Sequence, residues 1–192
     1  MDNPGEIAGY IGTPLTSNAT KVLLLGSGEL GKQLAMSFQN LGLEVHAVDS
    51  YAGAPAHQVA QYSYVADIKD AGRILQLAQE IQPHFVVPEV ETVAVEALEE
   101  MEAHSDAIVV PSARACAMTQ DRQCVREVAE NIGLPVSAYR FASSVEELEE
   151  AVGELGFPCI IKPDVSTSGK GHMIARDEED VRTAWELSLI HI

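Results

Sequence analysis

Through roughly the first 110 residues, short unbroken apolar runs alternate with stretches in which apolar residues return at helical spacing. The run Lys21-Val22-Leu23-Leu24-Leu25 stops at Gly26 and has the continuous apolarity of a strand buried on both faces. Leu30, Leu34, Phe38 and Leu41 then recur three or four residues apart, and Gly42 closes that helix. A second strand over 45–48 ends at Asp49, which completes a strand–helix–strand unit. The same rhythm predicts a weak strand at Tyr64 and Val65, a helix over 68–81 closed by Pro83, and a strand over 84–87 stopped by Pro88. An acidic helix over 91–103 and a strand over 107–110, stopped by Pro111, follow. Alternation of this kind is that of an α/β, Rossmann-like, doubly wound parallel sheet. Residues 1–19 show no period and are rich in Gly, Pro, Asn and Thr, so they are expected to be a loop leading into the first strand.

After Ser112 the rhythm changes. A helical pattern over 121–131 is broken by Gly133-Leu134-Pro135, and 138–141 is short and strand-like. Ser144-Val145-Glu146-Glu147 has the spacing of a capping box and opens a helix to about 155. A strand over 159–162, a glycine-rich loop, a strand over 172–175 and a helix from Asp177 through 185 complete the chain. The loop therefore joins two strands as a hairpin. The change in rhythm places a domain boundary between 119 and 120.

Charge narrows the partners. The net charge of −17 repels phosphate backbones, which argues against a nucleic-acid polymer as ligand. Any anion site must then be built locally, from backbone amides and a few Lys or Arg. The three cysteines, Cys116, Cys124 and Cys159, form no CxxC pair, which speaks against a disulfide framework or a structural zinc site. No apolar run approaches the roughly 18 residues of a membrane span, and the N-terminus lacks the pattern of a signal peptide. A cytoplasmic protein with reduced thiols is expected.

Three stretches carry candidate chemistry. Gly26-Ser27-Gly28-Glu29-Leu30-Gly31 matches GxGxxG between a buried strand and a helix, with Asp49 where a dinucleotide fold places its ribose-binding acid. Taken alone, this predicts an NAD site. Glu29 argues against it, because a carboxylate inside the turn would repel a pyrophosphate and suits a ligand amine instead. A structural role for Glu29, complementing the helix dipole, stays open. Pro88-Glu89-Val90-Glu91 follows the strongest strand, so Glu89 is expected at the carboxyl end of the sheet, where open α/β folds bind ligands, and Glu91 in the first turn of the next helix.

The third stretch is Lys162-Pro163-Asp164-Val165-Ser166-Thr167-Ser168-Gly169-Lys170-Gly171. Hydroxyls, amides and two ammonium groups converge in it, which suits a nucleotide polyphosphate. It is not a Walker A loop, since Gly171 follows Gly169-Lys170 and a strand comes next rather than a helix. Arg122 opens the first helix of the second domain, and by itself reads as a solvated arginine.

Together, Gly26-Ser27-Gly28-Glu29-Leu30-Gly31-Lys32, Ala47-Val48-Asp49, Pro88-Glu89, and Lys162-Pro163 with Ser168-Gly169-Lys170-Gly171 resemble the formate-dependent phosphoribosylglycinamide formyltransferases of the ATP-grasp superfamily, from about Ile11 to Trp185. The resemblance implies a substrate-binding Rossmann-like domain at 1–119 and a partial ATP-grasp domain at 120–192. It implies ATP- and formate-dependent formylation of glycinamide ribonucleotide through formyl phosphate, in de novo purine biosynthesis. Glu29, Leu30 and Glu89 would contact the glycinamide ribonucleotide. Arg122, Lys162, Thr167, Ser168, Gly169, Lys170, Gly171 and His172 would bind ATP. Magnesium is implied as cofactor, with its ligands expected outside this chain, and no catalytic residue is assigned within it. Family members pair as homodimers, which is implied for a full-length protein.

The chain departs from the family in stopping at about half the family length, so it is expected to be truncated and inactive alone. Residues 187–192 lack the family's helix continuation and can be back-translated as a sequencing-library adapter, so they are expected to be non-native. The related carboxyaminoimidazole ribonucleotide synthetases usually carry Gln in place of Glu29 and a Gly-Arg-Gly type loop, which favours the formyltransferase. Another ATP-grasp ligase, an NAD-dependent oxidoreductase and a non-catalytic nucleotide-binding module are the competing readings. The oxidoreductase leaves the lysine-bearing loop unexplained.

Overall fold

The computed structural model describes residues 11–163 and 171–189. The chain divides into two compact units, Met1–Ala117 and Met118–Ile192.

Unit 1 is a five-stranded sheet built from β1 (Lys21–Leu25), β2 (Glu44–Asp49), β3 (Tyr62–Val65), β4 (Phe85–Pro88) and β5 (Ile108–Val109). The spatial order is β3-β2-β1-β4-β5, and every neighbouring pair is parallel. Leu23, Leu24 and Leu25 are fully buried because the two faces of β1 are both covered. Leu24, Val45 and Ala47 face α1 (Glu29–Asn40) and the short 3-10 turn Pro55–Gln58. Leu23, Leu25, Val48 and Val86 face α2 (Ala71–Ile81) and α3 (Val95–His104). Burying each such leucine contributes about 1.5–3 kcal/mol, which is why the run is uninterrupted. Chain connection reverses direction at β1, whose neighbours are β2 on one side and β4 on the other. That is the switch point at which doubly wound sheets open a crevice.

Several sequence expectations are corrected. The helix expected over 68–81 starts at Ala71, because the Asp70 side chain accepts the Arg73 amide at 3.0 Å and caps it. The helix expected over 91–103 starts at Val95; Glu91 lies in the loop before it, where the Ala94 amide donates to Ile68 O at 2.9 Å. The 3-10 turn and α4 (Ala113–Gln120) were not expected. The core contacts of α4 are Ala113 and Cys116, too small to produce a visible period.

Unit 2 contains α5 (Arg122–Asn131), α6 (Val145–Leu155), the antiparallel pair β6 (Cys159–Ile161) and β7 (Met173–Ala175), and α7 (Glu178–Leu189). Val152, Ala175 and Val181 form its core, with Leu148, Cys159 and Ile161 packed against them. The capping box works with a shift. Ser144 Oγ accepts the Glu147 amide at 3.2 Å, while the Glu147 carboxylate takes the amide and hydroxyl of Ser143 rather than the amide of Ser144. Residues 138–141 form no strand, since their backbone joins no ladder of the described residues.

Candidate functional site

The register of unit 1 sets Leu25 opposite both Val48 and Pro88, so the chain leaves β1, β2 and β4 at one level. The next residues are Gly26, Asp49 and Glu89. Gly26 N–H donates to Val48 O at 3.0 Å, and Glu89 N–H donates to Leu25 O at 2.8 Å. Gly26 has φ +102, and a Cβ there would lie 2.8 Å from Glu89 Oε2 and 3.0 Å from Val90 Cγ1. Both the conformation and the close approach therefore require glycine. Gly31 is required for a different reason: its Cβ would meet Gly26 O at 2.7 Å, where α1 presses on the turn. Gly28 is required for neither. Its φ is −69, and a Cβ would meet nothing within 4 Å. The open space above Gly28, at the N-terminus of α1, is free for a ligand to approach the backbone.

Glu89 Oε2 is a buried acceptor with no hydrogen-bond partner among the described residues. Burial, together with the charges of Asp49 and Glu91, pushes its carboxyl above the ordinary glutamate range. Such an atom costs stability until a donor arrives. Glu29 opens α1 and is exposed, and the Leu30 side chain is 59% exposed. The sequence-predicted trio thus stands at the switch-point end of the sheet. Asp49, which the motif alone would make a ribose-binding acid, has Oδ2 accepting the Ser27 amide at 2.8 Å and Oδ1 accepting the Ser50 amide at 2.7 Å.

In unit 2, Lys162 follows β6 directly and is exposed. The ladder ends on the pair Ile161 and Met173, and the next residues outward on the two strands are Lys162 and His172. Gly171 closes the base of the hairpin with φ +74, and a Cβ there would meet Pro163 Cγ at 2.7 Å. Arg122 begins α5, where Asp121 caps the helix by accepting the Gln123 and Cys124 amides at 2.8 and 3.0 Å. Burial and the fields of Lys162 and Arg122 hold the His172 imidazole below the usual histidine range. Three of the predicted ATP-binding side chains are therefore near neighbours, and a cationic patch of this kind suits a polyphosphate. On the same face of the hairpin, Ile160 and Ile174 are paired across the strands and are 60% and 47% exposed. Thr167, Ser168, Gly169 and Lys170 lie outside the described residues. No described group of three His, Cys, Asp or Glu side chains is arranged to hold a metal ion, so the magnesium implied by ATP chemistry has no ligand set among them.

Sequence reasoning missed a second polar cluster, at the opposite end of β2. Glu44 and His46 are both buried. Glu44 Oε2 accepts the Leu15 amide at 2.6 Å, and Glu44 Oε1 accepts from His46 Nε2 at 2.9 Å. His46 Nδ1 accepts the Tyr64 hydroxyl at 3.0 Å, and the ring stacks on Tyr62 at 4.6 Å between centroids. Burial holds His46 below its ordinary value despite the pull of Glu44. Burial pushes Glu44 up, yet the bonds from His46 and Leu15 outweigh it and leave that carboxyl low. The signal available in the sequence was the alternation of Glu44 and His46 on one strand face.

The chain belongs to the ribonucleotide synthetase preATP-grasp family, whose domain matches residues 19–120, and an ATP-grasp domain matches residues 127–190. Within that class it is similar to formate-dependent phosphoribosylglycinamide formyltransferases. The protein of that name from Corynebacterium glutamicum strain R is 51% identical over 180 residues, covering 93% of this chain and 44% of the relative. Glycinamide-RNase-transformylase T from Mycobacterium tuberculosis superposes with a TM-score of 0.69 at 37% identity, over 82% of this chain and 43% of that one. The ADP complex of N5-carboxyaminoimidazole ribonucleotide synthetase gives a TM-score of 0.78 at 30% identity, over 93% of this chain and 45% of that one. The chain thus spans somewhat less than half the length of the curated relatives it matches. No described helix is long and apolar enough to cross a membrane.

Proposed function

We propose that this chain carries the glycinamide ribonucleotide site and part of the ATP site of a cytoplasmic, ATP- and formate-dependent formyltransferase of purine biosynthesis. In that reaction a formate oxygen attacks the γ-phosphorus of ATP, and ADP leaves. The glycinamide amine then attacks the formyl carbon, phosphate leaves with the C–O bond electrons, and the nitrogen loses a proton. Glycinamide ribonucleotide, formate and ATP are the ligands, magnesium accompanies the ATP, and a homodimer is the expected assembly.

The observation that carries this reading is the buried, unpartnered Glu89 Oε2 at the switch-point crevice. A carboxylate so placed is matched by a ligand N–H, and an ammonium supplies one with opposite charge. The amine must reach the formyl carbon as the free base. A carboxylate made more basic by burial and neighbouring anions is a better acceptor for its proton than an exposed one. Glu29 and Leu30, at the open N-terminus of α1, would contact the same ligand. Arg122, Lys162, His172 and Gly171, with Thr167, Ser168, Gly169 and Lys170, would hold the ATP phosphates. The exposed Ile160 and Ile174 offer an apolar surface beside that patch. Identity of about 50% to named formyltransferases supports this reading over the carboxyaminoimidazole ribonucleotide synthetase.

Isothermal titration of the 192-residue chain with glycinamide ribonucleotide and with ribose 5-phosphate tests it. The expected result is binding of the first at least about tenfold tighter, from one charged hydrogen bond. Equal affinity for the two would contradict an amine site.

A further inference from the structure

We propose that Asp49 is a positioning residue for the crevice: its carboxylate clamps the Ser27 amide, keeps Gly26 pressed on Glu89, and adds the second negative charge that makes the site prefer a cationic amine. The preference for an amine rests on the function proposed above; the clamp does not.

The geometry assigns both carboxylate oxygens. Oδ2 takes the Ser27 N–H at 2.8 Å. Oδ1 takes the Ser50 N–H at 2.7 Å and the Ser50 hydroxyl at 3.2 Å. An acid at this position in a dinucleotide fold bonds ribose hydroxyls; here each oxygen also accepts an amide of the chain's own backbone. Ser27 itself is fully buried, and its hydroxyl donates to Val48 O at 3.0 Å. The residue between Gly26 and Gly28 is thus held at two points on β2. A tethered Ser27 keeps Gly26 in its left-handed conformation, with its Cα against the Glu89 carboxyl. It also leaves the face of Gly28 open. Asp49 at the end of β2 and Glu91 in the loop after β4 are the charged groups whose fields reach Glu89. Asp49 forms no ion pair with a lysine or arginine among the described residues. An anionic crevice in which one carboxylate lacks a donor favours a cation over a neutral hydroxyl of the same shape.

The test uses the 192-residue chain and the variants Asp49→Asn and Asp49→Ala. Asparagine keeps an oxygen for the Ser27 amide but removes the charge; alanine removes both. Carbon-13 NMR of the Glu89 carboxyl follows the field without any ligand. In Asp49→Asn, Glu89 is expected to titrate at lower pH than in the wild type while the Ser27 amide stays protected from exchange. In Asp49→Ala, exchange at Ser27 is expected to quicken roughly five- to tenfold, the loss of one hydrogen bond. Glycinamide ribonucleotide should bind Asp49→Asn about fivefold more weakly, with ribose 5-phosphate unchanged or tighter. An unmoved Glu89 titration in Asp49→Asn overturns the electrostatic role. Unchanged Ser27 protection in Asp49→Ala overturns the clamp. If Asp49→Ala does not fold, the Glu89 titration and the ligand discrimination of Asp49→Asn decide the proposal. A wild-type chain that fails to bind glycinamide ribonucleotide sinks the proposed function and the amine preference together, while the ligand-free measurements still decide the clamp and the field.

Discussion

Strand β2 carries a carboxylate at each end, and the two ends are solved differently. At the amino end, Glu44 has both oxygens bonded, one to His46 and one to the Leu15 amide, and its carboxyl is held low. At the carboxyl end, Asp49 is bonded to the turn, but its neighbour Glu89 keeps an oxygen buried without a donor and is pushed up. The strand that feeds both clusters is the same, so the difference comes from what surrounds them. Satisfied polar groups hold a fold together, whereas an unsatisfied one persists where a ligand completes it. The proposal made above thus assigns the amino end to stability and the carboxyl end to recognition.

The largest effect that separates the two ends is expected from Glu44→Ala. It leaves His46 and the Leu15 amide without their buried acceptor and should lower stability by about 3 kcal/mol in urea denaturation. Affinity for glycinamide ribonucleotide should not change. The pH dependence sharpens this. Glu44 and His46 both have lowered folded-state values, so the unfolded chain takes up protons that the folded one refuses. Their contribution is fully present above the ordinary histidine value. It is lost as pH falls through the histidine range and then below the ordinary carboxylate range. Wild-type stability should fall along that window; in Glu44→Ala the carboxylate limb should disappear, while the histidine limb should persist or deepen, because Glu44 is what pulls His46 upward.

A smaller contrast lies within the glycine turn. Gly26→Ala forces a side chain onto Glu89 and Val90 in a left-handed conformation and should cost about 1–3 kcal/mol. Gly28→Ala meets nothing and should be neutral or stabilising by up to about 1 kcal/mol, yet it should weaken ligand binding by obstructing approach to the turn. A Gly28→Ala chain that binds glycinamide ribonucleotide as the wild type does would show that the open space there is not ligand space.

The sheet was legible because β1 and β4 are covered on both faces and so are written as unbroken apolar runs. Glu29, Leu30 and Glu89 were legible as site candidates because glycines and prolines mark the ends of those runs. What escaped was not periodic. The α4 helix buries only small side chains, so no apolar stripe announces it. Glu91 was expected in a helix, but the helix waits for Val95 because the Ala94 amide is bonded to Ile68 instead. Asp49 sat at the position expected for a ribose acid, yet its oxygens accept the Ser27 and Ser50 amides, a choice made by side-chain rotamers that spacing does not encode. The Glu44, His46 and Tyr64 relay joins two strands and the N-terminal segment, and only tertiary pairing brings these together.

Glu89→Gln gives the smallest change in stability and the most direct test. Because the folded-state value of Glu89 is raised, its charge costs stability once pH exceeds the ordinary glutamate range, and that cost is complete above the folded value. Thermal unfolding at pH 8 should therefore show Glu89→Gln melting about 1–3 °C above the wild type, while glycinamide ribonucleotide is expected to stabilise the wild type and barely shift the variant. A variant that melts lower than the wild type and gains as much from the ligand would contradict the reading of Glu89 as a carboxylate kept unsatisfied for an amine.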